Sequence, residues 1–239
     1  MSRFSDIREE CCAANLALPA TGLVDLTFGN VSVCERESGV FAIKPSGVAY
    51  DRLTPSDMVV VDFDGQVVEG GLRPSSDEPT HRRLFLGFSD IRSVVHTHSR
   101  RAVAFAQAGR EIPLLGTTHA DYFRGAVPVT RALTPAEIAG AYEWETGSVI
   151  LECFADKNPS EIPAVLVRNH GPFAWGSSGG KAVETAQALE IVAQMALDAR
   201  AIDPACQPPS AELIDKHFLR KHGANAYYGQ PMTRSSLQV

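Results

Sequence analysis

The chain has 239 residues, 44% of them hydrophobic and 21% charged, with a formal net charge of −6. This is the composition of an ordinary soluble globular protein, long enough to bury a sizeable core without staples. The acidic balance argues against nucleic acid or an anionic membrane as the main partner, but leaves room for a locally positive pocket that takes a small anion.

The five cysteines, Cys11, Cys12, Cys34, Cys153 and Cys206, form no CxxC pair and no dense framework. Reduced structural thiols and a cytoplasmic location are the expectation. Residues 1–10 are charged and lack the apolar core of a signal peptide. No stretch approaches the ~18 uninterrupted apolar residues of a membrane span.

In chain order, Ile7, Cys11, Ala14 and Leu18 lie on one stripe of a first helix. Strands are expected over 24–33, 40–44 and 58–62. The Asp64-Gly65 pair then marks a hairpin turn, with 66–68 as the return strand. Residues 78–88 read as a helix that tolerates Pro79 in its first turn. A strand over 91–98 leads into a helix over 100–108. Residues 134–145 form a helix with Thr134 as N-cap, Pro135 next and Glu137 completing a capping box. Strands follow at 148–152 and 164–168, then helices at 180–202 and 211–222. Strands and helices alternate around an early hairpin, and no repeat or linker interrupts the chain. These elements point to one compact domain with an α/β or α+β layer structure and a partly antiparallel sheet. The tail over 231–239 is expected to be disordered.

His96-Thr97-His98 closes an apolar strand, and side chains at i and i+2 of a strand share a face. His170 follows a second apolar run, Val165-Leu166-Val167, and Gly171-Pro172 turns the chain after it. Two neighbouring strand ends could thus offer three imidazoles to one ion, the donor number that catalytic zinc uses alongside an open position. The competing reading is a set of polar strand-end residues. Asp77 is either a fourth ligand or the cap of the following helix. His81, early in that helix, reads as a surface or packing residue.

Three short runs, 29–32, 44–47 and 75–76, are rich in glycine and hydroxyls, and Lys44 adds a positive charge. They are either ordinary turns or an anion-binding site. Asp121, within the polar run 117–123, is an acid/base candidate or a loop-capping residue. The basic run 215–223 followed by Tyr227-Tyr228 is a solvated helix end or a tail that closes a site.

Taken together these motifs resemble the class II (zinc) aldolase and epimerase family, on its 4-epimerase side. The resemblance spans nearly the whole chain. It includes Leu26-Thr27-Phe28-Gly29-Asn30-Val31-Ser32, Ile43-Lys44-Pro45-Ser46-Gly47-Val48, Pro74-Ser75-Ser76-Asp77 and Val95-His96-Thr97-His98-Ser99-Arg100. Further along come Gly116-Thr117-Thr118-His119-Ala120-Asp121-Tyr122-Phe123, Tyr142-Glu143-Trp144-Glu145-Thr146-Gly147 and Asn169-His170-Gly171-Pro172-Phe173-Ala174-Trp175-Gly176. Phe28 stands where a Trp is more usual.

The resemblance implies a single-domain, three-layer α/β/α fold with a central, largely antiparallel mixed sheet over residues 1–230, assembled as a homotetramer with active sites at subunit interfaces. It implies zinc, or another divalent metal such as manganese or cobalt, on Asp77, His96, His98 and His170. It implies a phosphorylated ketopentose near Gly29, Asn30, Lys44, Ser46, Gly47, Ser75 and Ser76, with Asp121 and Tyr228 as proton carriers from a neighbouring subunit. Thr117, Glu143, His217 and Arg220 are implied supporting residues. The implied reaction interconverts L-ribulose 5-phosphate and D-xylulose 5-phosphate, a reaction that similar enzymes carry out in arabinose and in ascorbate or gulonate breakdown.

Carbon 4 of such a ketose carries no acidic hydrogen, because the ketone lies at carbon 2. Inversion there is expected through retro-aldol cleavage between carbons 3 and 4, rotation of the aldehyde, and re-addition. That route needs one proton carrier on each face. Two alternatives stand beside it. One is an aldolase that releases its fragments, against which Asp77 counts, since similar aldolases carry Glu there. The other is a non-catalytic interaction domain of the adducin kind, which lacks the metal histidines.

Overall fold

A computed structural model describes residues 3–229. The chain runs through helix α1 (Ser5–Thr21), strands β1 (Asn30–Glu35), β2 (Val40–Ile43), β3 (Val59–Asp62) and β4 (Val67–Glu69), helix α2 (Glu78–Gly87) and strand β5 (Ser93–His96). Helices α3 (Arg100–Ala108), α4 (Thr117–Ala120), α5 (Pro135–Ala139) and α6 (Tyr142–Cys153) follow. Strands β6 (Ala164–Leu166) and β7 (Pro172–Gly176) and helices α7 (Gly179–Ile202) and α8 (Ala211–His222) complete it. The strands form one seven-stranded sheet in the order β4-β3-β2-β1-β5-β7-β6, with every neighbouring pair antiparallel.

Both faces of the sheet are covered. Val31, Val33, Val95 and Ala174 point into a core shared with α1, α3 and α7. Cys34, Val94, Phe173 and Trp175 point into a second core with Leu84 and Phe85 of α2 and Ile150 and Phe154 of α6. Burial on both sides explains why these strands read as continuous apolar runs rather than alternating ones. The expected three-layer arrangement is therefore present.

Several expected elements shift. The strand expected over 24–33 starts only at Asn30, and that expected over 91–98 stops at His96. Thr134 and Glu137 form the expected capping box, but Gly140 ends that helix after one turn and α6 restarts at Tyr142. The expected strand over 148–152 is helix: Thr146, Gly147, Val149 and Ile150 are buried at helical spacing. β7 was not expected, because a short run bracketed by Pro172 and Gly176 reads as turn. Pro172 is tolerated as the strand's first residue, where its missing N–H costs nothing. The tail expected to be disordered lies outside the described residues.

Asn30, His96 and Phe173 sit opposite one another on β1, β5 and β7. This places the start of β1, the end of β5 and the β6–β7 turn at one end of the sheet. The N-terminus of α2 joins them, because Asn30 Nδ2 donates to Asp77 Oδ2 at 2.7 Å.

Candidate metal centre and active site

His96 is fully buried at the end of β5. Its Nδ1 lies 2.9 Å from the carbonyl of Pro172. A carbonyl only accepts, so Nδ1 carries the proton and Nε2 presents a lone pair. Burial pushes the His96 pKa down to about 3, so the ring is neutral. His98 is not on the strand but in the turn after it, and its Nε2 lies 3.1 Å from that of His96. His170 is also off its strand. It occupies the β6–β7 turn behind Asn169, which adopts a left-handed φ of 62°. β7 separates β6 from β5, so the expected pair of adjacent strand ends is replaced by one strand end and one hairpin turn.

Ligand atoms of His96, His98 and His170 lie within 4.8 Å of one another. The Nδ1 of His170 is buried and has no hydrogen-bond partner. Burial, aided by His98, lowers the His170 pKa. Converging imidazoles and an orphaned ring nitrogen fit a divalent metal of the zinc type.

Asp77 occupies the N-cap position of α2, yet its side chain makes no capping hydrogen bond. The carboxylate turns to Asn30 instead. Burial raises its pKa, but His96, His81, the Asn30 hydrogen bond and His170 outweigh this, and the net direction is down. The carboxylate lies near enough to His96 and His170 to feel them, but among the described residues the cluster of ligand atoms within 4.8 Å comprises the three histidines and does not include Asp77.

A cavity of about 430 Å³ opens over this centre, lined by Gly29, Asn30, Lys44, Ser46, Gly47, Ser75, Ser76, Asp77 and the histidines. Every residue expected to bind substrate therefore lines it. Gly29 has a φ of +81°, and a Cβ there would meet the His96 carbonyl at 2.8 Å, so only glycine fits. The backbone of Ser75 donates to Lys44 O at 2.9 Å, which ties two of the loops together. Lys44 is buried. Its Nζ meets the Pro45 carbonyl at 3.4 Å and lies 4.9 Å over the Tyr50 ring, and among the described residues no carboxylate pairs with it. Burial lowers its pKa.

Asp121 and Tyr228 are brought together, but not into this cavity. Asp121 Oδ1 accepts from His217 and from Arg220 Nε, each at 3.1 Å, and Oδ2 accepts from Arg220 Nη2 at 2.7 Å. Burial raises the Asp121 pKa, but the hydrogen bonds from Arg220 and His217, with the Lys221 charge, carry it below the usual value. Tyr228 is exposed, with Arg220 5.1 Å and Lys221 4.5 Å over its ring. Of the expected supporting residues, Lys44 and Glu143 line the cavity. His217 and Arg220 belong to the Asp121 cluster, and Thr117 opens α4 beside it.

Sequence reasoning passed over Thr27, Thr80, Tyr142 and Thr146, which also line the cavity. Tyr142 stacks on His170, with ring centroids 6.4 Å apart. It adjoins Glu143 at the start of a helix, within the motif Tyr142-Glu143-Trp144-Glu145-Thr146-Gly147 that carries part of the family resemblance. His81, read as surface or packing, is wholly buried. Phe28 stacks on His98 at 5.5 Å.

A family model described as "Class II Aldolase and Adducin N-terminal domain" matches residues 9–197. The chain is similar to L-ribulose-5-phosphate 4-epimerase UlaF of Salmonella paratyphi C, at 54% identity over 94% of this chain and 98% of the relative. The same enzyme of Salmonella typhi is 53% identical over the same shares. Among solved structures, an L-fuculose 1-phosphate aldolase superposes with a TM-score of 0.74 at 28% identity, covering 90% of this chain and 96% of that one. The fold, the site and these likenesses agree: the chain belongs to the class II aldolase and adducin N-terminal domain family.

Proposed function

We propose that the protein is an L-ribulose-5-phosphate 4-epimerase, an isomerase that interconverts L-ribulose 5-phosphate and D-xylulose 5-phosphate. The observation that carries this reading is one cavity that joins a three-histidine cradle to a buried ammonium, unpaired by any carboxylate among the described residues, and two serine loops. The likeness to epimerases at 54% identity supports the choice of reaction.

Asp77, His96, His98 and His170 are the proposed ligands of a divalent metal, zinc by preference. These residues would hold the ion at the ketone, where it would supply Lewis-acid chemistry. Lys44, with Ser46, Gly47, Ser75 and Ser76, would hold the anionic substrate, retaining the aldehyde fragment after carbons 3 and 4 part. Asn30, fixed between Ser75 and Asp77, keeps loop and carboxylate in register. Asp121 and Tyr228 are the proposed proton carriers, one for each face of the rotating aldehyde. They lie outside the cavity of their own chain, which supports a homotetramer whose subunits complete each other's sites. Residues 1–230 are proposed to act as one catalytic domain, in a cytoplasmic enzyme of pentose phosphate metabolism such as arabinose breakdown. No helix among the described residues is long and apolar enough to cross a membrane.

The test is an assay of metal-stripped and zinc-restored protein with L-ribulose 5-phosphate. Zinc-dependent formation of D-xylulose 5-phosphate is expected. Net release of glycolaldehyde phosphate would overturn the epimerase in favour of a lyase, the reading that likeness to the fuculose aldolase favours.

A further inference from the structure

His81 is a wholly buried imidazole that the proposed chemistry does not use. It lies one helical turn after Asp77 in α2, and side chains at i and i+4 share a face. A helical side chain covers the turn N-terminal to its own Cα. The His81 ring therefore leans towards Asp77.

The strand beneath α2 has matching polar residues. Asn30 and Ser32 lie two apart on β1, both on the face that meets α2. Asn30 bonds Asp77 at 2.7 Å, and Ser32 Oγ lies 2.7 Å from His81 Nδ1. Two rungs thus join β1 to α2. The second rung leaves one polar atom over: His81 Nε2 is buried and has no partner, and the Asn30 Oδ1 is in the same position. Such a nitrogen at the heart of a packed layer is costly unless it meets a group when the site is loaded.

The tautomer follows from the charges. Were Nδ1 to donate to Ser32, the Nε2 lone pair would lie in the field of the ionised Asp77, which is repulsive. With the Ser32 hydroxyl donating to Nδ1, Nε2 carries the proton and its N–H dipole is attracted to the carboxylate. The ring also meets Phe173 edge-on at 5.8 Å, and Phe173 stacks on His96 at 4.3 Å. His81 therefore sits against the platform under a ligand imidazole and, with its backbone N–H donating to the Asp77 carbonyl at 3.1 Å, on the same turn as the carboxylate.

We propose that His81 is a positioning residue for the metal centre: with its Nδ1 fixed by Ser32, its Nε2–H holds the Asp77 carboxylate, directly or through one water, in the orientation that meets the ion. This rests on the reading of His96, His98 and His170 as metal ligands.

The test measures metal affinity rather than turnover. Wild type, His81→Phe, His81→Gln, Ser32→Ala and, as control, His96→Ala are stripped and titrated with zinc against a chelating indicator. The cobalt-loaded forms are compared by visible absorption. His81→Phe is expected to weaken zinc ~10- to 100-fold, the usual effect of losing a group that orients a ligand. It is also expected to alter the cobalt bands. His81→Gln, which keeps an N–H near the Nε2 position, is expected to recover most of the affinity, and Ser32→Ala to lose a smaller part. Circular dichroism of the stripped proteins identifies any variant that misfolds, and Ser32→Ala then carries the comparison. Wild-type affinity and cobalt bands in both His81→Phe and Ser32→Ala would overturn the proposal, as would His81→Gln no better than His81→Phe. A different failure marks the underlying reading: if wild type takes up no zinc, or His96→Ala takes it up as well as wild type, the metal centre itself is wrong and the role of His81 falls with it.

Discussion

Lys44 concentrates the anion chemistry of the cavity in one side chain. Among the described residues its buried ammonium has only a carbonyl and an aromatic ring for company, so a phosphate or alkoxide oxygen is the partner it lacks. Lys44→Met, similar in volume, should leave folding intact and raise KM roughly 10- to 100-fold, from the ~1.5–3 kcal/mol of a hydrogen bond to a charged group. An unchanged KM in steady-state assays would remove Lys44 from substrate binding. Asp121→Asn and Tyr228→Phe should each depress kcat strongly at unchanged metal content, because both keep the shape of the site and remove only a proton carrier. Normal turnover in both would sink the pair. The role of Tyr228 came only from the resemblance to the family, whereas the histidines, Lys44 and Asp121 were legible as candidates from type and spacing, as in His-x-His on an apolar run or Lys beside Pro-Ser-Gly. Thr80, Tyr142 and Thr146 were not, since threonine and tyrosine in a helix are ordinary until packing aims them. His81, read as a surface or packing residue, is the latter, because the underside of α2 meets Ser32 and Phe173 there.

At the scale of elements, α2 and α6 are the pair that supports the cavity wall. Thr80 Oγ1 donates to the Glu143 carbonyl at 2.6 Å. The two helices approach so closely at Gly147 that a Cβ there would lie 2.5 Å from the Cβ of Arg83. Gly147→Val should therefore destabilise the protein by about 1–3 kcal/mol through overpacking, read as a lower urea midpoint, and should lower kcat by displacing Glu143 and Tyr142. Wild-type stability would show that the helices can part without cost. The sequence misled most in this region. Ser148 to Glu152 contains Val149, Ile150 and Leu151, a run too short for periodicity to separate strand from helix. Only the buried positions facing α2 decide it. By contrast the hairpin at Asp64-Gly65 was plain, because Gly65 takes a φ of +86° and the Asp62 carboxylate accepts from the backbone of Asp64 and Gln66. Turn chemistry is local, whereas β7 becomes a strand only because β5 and β6 lie on either side of it.

For the whole molecule, the separation of Asp121 and Tyr228 from the cavity has a testable consequence. Mixed oligomers of two inactive variants, His96→Ala and Asp121→Asn, should regain activity, because some sites would draw both intact halves from different subunits. No regain on co-expression would mean that each chain completes its own site. Acid should weaken the fold through His119, which burial lowers to about 4 and whose Nε2 lies 2.9 Å from the Gly125 carbonyl. The unfolded chain takes up that proton near the usual ~6.5. Between these values the unfolded state binds more protons, so stability is complete above about 6.5 and declines as pH falls towards 4. The urea midpoint of metal-free protein should fall across that window, and less steeply in His119→Phe; parallel curves would exclude His119 as the source. Finally, the cysteines divide into two kinds. Cys11, Cys12 and Cys34 are buried, and burial raises all three thiol pKa values; Cys153 and Cys206 are partly exposed, although burial raises the Cys153 thiol as well. A thiol-reactive spin label or fluorophore will therefore choose between two addresses on the native protein. Replacing Cys153 leaves a single probe between α7 and α8, beside the helix that holds Asp121, from which subunit distances can be read without disturbing the histidines.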